Sequence, residues 1–278
     1  MIIIMKKNLL NLLSILILLF FGCYKDTRSN NFEDRYIKDI EIACSKLSFN
    51  PSDLISIRIR GDAYYELKQN EKAIKDYTAL IDSDKGDYEL FLRRGKALHA
   101  LKQFDKALED FNKSIELNPK NAWGYHRRAD LLSALERYDE ALNDFSVAIS
   151  ILPDDPAAYT CRGRLYYRQK EDERAIDAFN KAIKIDNRHF YSLYQRGLFN
   201  FRHKRYEKAI EDLQFLEDIN PPYLSYQYRK RAFITMGLAH FRLKRYSEIL
   251  SDLTGVWDMK QRMDSLYRKI EAAEKSYQ

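Results

Sequence analysis

The sequence predicts an all-α superhelix (solenoid) of stacked helical hairpins with a capping helix at each end, and three observations predict it. Breakers are scarce: 9 Gly and 6 Pro stand against 20 Tyr and 15 Phe in 278 residues, which favours helices joined by short, repetitive turns. Five segments align without a gap, namely LKQNEKAIKDY (67–77), LKQFDKALEDF (101–111), LERYDEALNDF (135–145), QKEDERAIDAF (169–179) and HKRYEKAIEDL (203–213). Small residues recur in two columns of a 34-residue period. One column is Ala73, Ala107, Ala141, Ala175 and Ala209; the other, twelve residues earlier, is Gly61, Gly95, Ala129, Gly163 and Gly197.

Taken from the N-terminus, residues 1–22 read as a signal peptide. Lys6 and Lys7 precede an apolar stretch from Leu9 to Gly22, and reading from Met5 puts the basic segment first, so Met5 is taken as the start. That stretch is 14 residues long, short of the roughly 20 needed to span a bilayer and within the about 7–15 of a signal h-region. Residues 23–32 form a polar tether, and residues 33–51, in register with the second helix of a hairpin, form the N-terminal cap. Residues 52–221 hold five repeat units, 222–257 a divergent sixth whose Gly237 arrives six residues late, and 258–278 an amphipathic C-terminal capping helix.

The hairpin follows from where the columns fall. Ile57, Gly61 and Tyr64 lie at i, i+4 and i+7, one face of a first helix; Ala73 and Tyr77 mark one face of a second. Small residues on both faces let two antiparallel helices approach closely while the large ones fill the space beside them. Pro51, Pro119, Pro153 and Pro221 share one column and close second helices, with Lys85 and Asn187 in the same column elsewhere. Each hairpin buries its open side against the next.

This pattern of small and aromatic columns resembles the tetratricopeptide repeat (TPR) family over residues 54–221, with Ala129 and Leu213 as departures. The basic start, h-region and Gly22-Cys23 junction also resemble bacterial lipoproteins, although Phe20 stands where leucine is usual. That second resemblance implies a lipid on Cys23, the first residue of the mature chain. Tyr24 rather than aspartate follows it, which favours the outer membrane and a periplasm-facing protein.

In TPR proteins a stripe on the first helices, one residue on from the intra-hairpin face and about 100° around, lines a concave groove for extended peptides or partner helices. Here it reads Arg58, Asp62, Tyr65; Leu92, Lys96, His99; His126, Asp130, Ser133; Thr160, Arg164, Tyr167; Tyr194, Leu198, Phe201; and Ile234, Leu238, Phe241, with Trp123 and Tyr191 bordering it. The first four units are charged and mixed, the last two apolar. Two readings of the apolar end stand: a pocket for a partner or a small hydrophobic ligand, or a surface filled by the C-terminal helix or by the longer PPYLSYQYRKRAF segment. The lysine-asparagine clamp of the family's chaperone-tail binders is absent, so that specificity does not transfer.

Other chemistry is sparse. The five histidines show no metal-ligand spacing, and there is no CxxC, glycine-rich phosphate loop or GxSxG elbow, so neither an enzyme nor a metal or other cofactor is expected. With 47 basic and 41 acidic residues interleaved along the chain, nucleic acid is not an expected partner. Cys44 and Cys161 lie more than three units apart, beyond disulfide reach, and read as small core residues. The arginines before the small column (Arg60, Arg94, Arg128, Arg162, Arg196) could form an anion ladder; the plainer expectation packs their stems between helices and leaves the head groups in water. The expectation is a membrane-anchored adaptor for a protein or extended peptide, with a carrier of a small hydrophobic ligand as the alternative.

Overall fold

The computed structural model describes residues 30–85, 87–219, 226–243 and 245. The leader with Cys23, the second helix of the sixth unit and the C-terminal cap lie outside the described residues. No helix among the described residues is long and apolar enough to cross a membrane.

Among the described residues twelve α-helices follow one another: α1 (Asn30–Phe49), α2 (Leu54–Glu66), α3 (Asn70–Leu80), α4 (Tyr88–Ala100), α5 (Phe104–Leu117), α6 (Ala122–Ala134), α7 (Tyr138–Ile151), α8 (Pro156–Arg168), α9 (Asp172–Ile185), α10 (Phe190–Arg202), α11 (Tyr206–Ile219) and α12 (Tyr226–Arg242). The first helices α2, α4, α6, α8 and α10 are each 13 residues long and start 34 residues apart. Helix α1 begins inside the stretch read as tether and packs on α2.

Capping explains where the helices start and stop. Asp53, Asp87, Asn121 and Asp155 precede first helices, and each side chain accepts a hydrogen bond from a first-turn amide. His189 holds the same column without such a bond. Each first helix ends in a Schellman turn: Lys68 N–H donates to Tyr65 O at 2.9 Å and Gln69 N–H to Tyr64 O at 2.8 Å, a pair of bonds repeated in the next four units. The residue at the turn is never glycine; Lys68, Lys102, Glu136, Lys170 and Lys204 all take φ between 58° and 63°. Pro119 and Pro153 stand just past the C-caps of α5 and α7, whereas at Lys85, in the same column, the chain overruns α3 into a π turn, Ile81–Lys85.

Packing follows the two small columns. Ala73, Ala107, Ala141, Ala175 and Ala209 are fully buried, and Tyr77, Phe111, Phe145, Phe179 and Leu213 beside them are at most 2% exposed. The approach is close enough that a Cβ on Gly95 would sit 2.7 Å from Phe111 Cε1, which only a shifted ring accommodates. Separate buried clusters run along the chain, as expected where each hairpin touches only its neighbours.

The arginine column departs from the expectation of solvated head groups. Arg94 Nε and Nη2 each donate to the Asp110 carboxylate at 2.8 Å, and Nη1 reaches back to Thr78 Oγ1 at 3.2 Å. Arg60–Asp76, Arg128–Asp144 and Arg196–Asp212 repeat the two-pronged pair, with Asn112 and Asn180 receiving the third nitrogen in the last two. These aspartates are 3–5% exposed, so the guanidinium supplies the charge that permits their burial. At Arg162 the partner position is Ala178, and Arg162 Nε is buried with no hydrogen-bond partner.

Of the two cysteines only Cys44 departs from the expected core position: it is exposed, whereas Cys161 packs against the Phe145 and Leu165 cluster; both are free thiols.

The sixth unit's delay is explained in part by α12, which has 17 residues and places Gly237 twelfth where Gly197 is eighth in α10. An extra helical turn therefore precedes the usual start, and it carries Tyr228.

Candidate functional site

The concave face is built by stacking first helices, and the stack sorts the expected stripe into two kinds of residue. Its first position points at the beginning of the next first helix rather than into the groove in four of the units. Arg58 donates to Asp87 at 3.0 Å and to Glu89 at 3.4 Å. His126 is 5% exposed and faces Asp155 and Asp130, each at 3.7 Å. Thr160 is fully buried and hydrogen-bonded to Ser192 at 2.6 Å. Tyr194, read from sequence as a groove residue, is 2% exposed and part of the core with Leu193, Leu213 and Met236. The reason is common to all four: consecutive first helices lie side by side, and this column sits at their contact.

The remaining stripe positions behave differently. Asp62 accepts from Tyr77 Oη at 2.7 Å and Arg93 Nη1 at 2.9 Å, so the acidic residue of the first unit is internally neutralised. Lys96 lies 4.7 Å from the centre of the Tyr65 ring, and Arg164 5.7 Å from that of Tyr191. Arg127 over Trp123 and Arg202 over Tyr167 extend the series at 5.8 and 5.3 Å. No carboxylate of the described residues forms an ion pair with Lys96, Arg164 or Arg202. Arg127 reaches Asp130 at 3.4 Å. Burial, reinforced by Arg127, lowers the Lys96 ammonium below its ordinary value, and the nearby Glu66 and Asp62 offset this only in part. Trp123 is 46% exposed. His99 and Phe104 pack edge to face at 5.8 Å, with Leu92 and Ser133 partly buried on the same side.

At the C-terminal end, Tyr228 from the added turn of α12 stands edge-on to Tyr194 at 5.0 Å and contacts Phe190 and Tyr191. Tyr228 thus covers part of the apolar end. What stays open is a cleft of about 390 Å³ lined by Tyr194, Tyr228, Lys230, Arg231 and Ile234. Leu198 packs against the core below it; Leu238 is partly buried, and Phe201 contacts Tyr206 at 5.7 Å. The side chain of Phe241 lies outside the described residues.

Sequence reasoning missed Arg93, Arg127 and Arg202, which sit one column beside the stripe, as well as Asp155 and Cys161. His126, Asp130 and Cys161 each offer a donor atom, all within 4.8 Å of one another. Burial pushes the Cys161 thiol up to about 12. Burial alone would also raise the Asp155 carboxyl, but His126 and the amides of Ala157 and Ala158 outweigh it and leave it below the usual range.

Family models described as tetratricopeptide repeat match residues 59–87, 88–121 and 126–190. A comparison with curated protein sequences finds no match. Among solved structures, the chain resembles a chain of the APC/C hetero-tetramer Cut9–Hcn1 (TM-score 0.61, 16% identity, 80% of this chain and 42% of that one). It also resembles a tetratricopeptide repeat protein from Parabacteroides merdae (TM-score 0.56, 16% identity, 74% and 79%). A third is MamA from Desulfovibrio magneticus (TM-score 0.52, 22% identity, 63% and 98%). At these identities the likeness is one of fold. Residues 59–87, 88–121 and 126–190 are thus similar to tetratricopeptide repeats, and the described residues fold as a TPR superhelix.

Proposed function

We propose that this chain is an interaction module that captures an extended, acidic segment of a partner protein in its concave groove. The observation that carries the reading is the row of cations laid over aromatic rings (Lys96 on Tyr65, Arg127 on Trp123, Arg164 on Tyr191, Arg202 on Tyr167), of which only Arg127 has a carboxylate partner. Cations held this way keep their charge for a ligand, while the rings offer apolar surface to side chains between its carboxylates.

The signal-like leader supports a further part of the reading: a lipid on Cys23 holds the superhelix at a bacterial envelope membrane, facing the periplasm, where the partner takes part in envelope assembly. Palmitate labelling of cells tests this; label on the wild type and none on Cys23→Ala supports the anchor, and no label on either overturns it.

Fluorescence polarisation with an extended Glu-rich peptide and a Lys-rich counterpart tests the groove. Lys96→Ala combined with Arg164→Ala is expected to weaken the acidic peptide at least about tenfold, with affinity falling as salt rises. Equal binding of both peptides, or no loss in the double variant, overturns it. The open cleft between Tyr228 and Ile234 favours a second reading, a carrier of a small hydrophobic ligand with an anionic end near Lys230 and Arg231. Native mass spectrometry distinguishes it through a co-purified hydrophobic mass.

A further inference from the structure

We propose that His126, Asp130 and Cys161 bind one divalent transition-metal ion of the zinc class on the concave face, between α6 and α8. His126 and Asp130 are one helical turn apart on α6, and Cys161 projects from the first helix of the next unit. Their donor atoms lie within 4.8 Å of one another, and His126 Nε2 stands 3.7 Å from Asp130 Oδ2. Ligands bonded to a tetrahedral zinc ion at 2.0–2.3 Å stand roughly 3.5 Å apart, so the imidazole and carboxylate are already spaced for it. The thiolate closes the set through a side-chain adjustment on the order of 1 Å.

The surroundings support a site rather than a chance meeting. The His126 side chain is 6% exposed, and its Nδ1 is buried without a hydrogen bond. That nitrogen faces Asp155 Oδ2 at 3.7 Å, while the other Asp155 oxygen is held by the Ala157 amide at 2.9 Å. A carboxylate behind a histidine whose second nitrogen faces two further donors is the arrangement that orients metal-bound imidazole. With the proton on Nδ1 directed at Asp155, Nε2 offers its lone pair to the ion. Trp123 stacks on the ring at 5.7 Å and Phe145 meets it edge-on at 5.3 Å, which fixes its plane.

Thiolate, imidazole and one carboxylate together select a borderline ion such as zinc or cobalt over magnesium or calcium. Arg127 Nη1 shares Asp130 Oδ2 at 3.4 Å, and that contact yields when the ion arrives. As the metal–sulfur bond forms, the Cys161 proton leaves to solvent. Three protein donors leave one coordination position, on the partly exposed Asp130 side, for water or a ligand's donor atom.

Cobalt(II) tests this without any partner. The full chain in mild detergent, stripped with EDTA and titrated with Co²⁺, is expected to give a near-ultraviolet thiolate-to-cobalt charge-transfer band that saturates at one equivalent and is displaced by Zn²⁺. Cys161→Ser, close to isosteric, should abolish the band, and Cys44→Ser should leave it unchanged. Asp155→Asn should retain the band with affinity lowered about 10–100-fold, as for other outer carboxylates. Absence of the band from the wild type, or its survival in Cys161→Ser, overturns the site.

Discussion

Lys68, Lys102, Glu136, Lys170 and Lys204 pass the chain from first to second helix in a left-handed conformation that normally belongs to glycine. Each costs about 1 kcal/mol or more, offset by the two Schellman bonds it completes. Glu136→Gly should therefore raise stability by about 0.5–1 kcal/mol, read as a higher urea midpoint with unchanged slope. A second expectation concerns protons. Burial holds His99 and His189 below the ordinary 6.5, so the unfolded chain binds protons more readily than the folded one. The stability these neutral rings support is present above that value and lost as pH falls below it. Melting temperature should drop between about pH 7.5 and about pH 5.5, and His99→Gln should flatten the dependence. Neither feature was legible beforehand. Lysine in a turn carries no sign of φ, and the burial of His99 depends on a neighbouring helix.

Among the elements, the arginine–aspartate ladder joins α2, α4, α6 and α10 to their own second helices and, through Thr78, Asn112 or Asn180, the last three of them to the preceding second helix. Asp110→Ala leaves Arg94 partly buried without its counter-charge and should cost about 2–4 kcal/mol. The converse is available at the ladder's gap. Ala178→Asp offers Arg162 the missing carboxylate beside a cleft of about 370 Å³, and should stabilise by about 1 kcal/mol. Thermal melts of the two variants give opposite signs if the pairs work as described. The column Asp76, Asp110, Asp144, Ala178, Asp212 stands in the aligned segments as plainly as the alanines do. Its partnership with the arginines sixteen residues earlier needed the hairpin closed, because charged residues on an amphipathic helix ordinarily signal water. The added turn of α12 is similar: six surplus residues were visible, but the edge-on contact of Tyr228 with Tyr194 was not.

For the whole molecule, the 34-residue period settles the architecture and leaves the groove to be decided by how units stack. The stripe was derived by rotating around one helix, which treats every first helix as though its outer side faced water. In the superhelix, half of that side faces the next unit, so His126, Thr160 and Tyr194 are taken into contacts while Lys96, Trp123 and Arg164 remain accessible. A partner bound along this surface spans several units, so charge reversal at Lys96 and at Arg202 should each weaken an acidic peptide, with roughly additive losses in log affinity. Strong non-additivity would place both residues in a single local contact instead.

By itself the sequence determined the helical hairpin, its period, the faces that meet within it and the family resemblance, because 3.6-residue periodicity and matched small and aromatic columns encode contacts local to one unit. Only the tertiary structure decided which arginines are neutralised, which stripe residues reach the groove, and that His126, Asp130 and Cys161 come together across two units. Those outcomes depend on the offset and angle between neighbouring hairpins. That geometry arises from the packing of two units on each other, and no single unit's pattern records it.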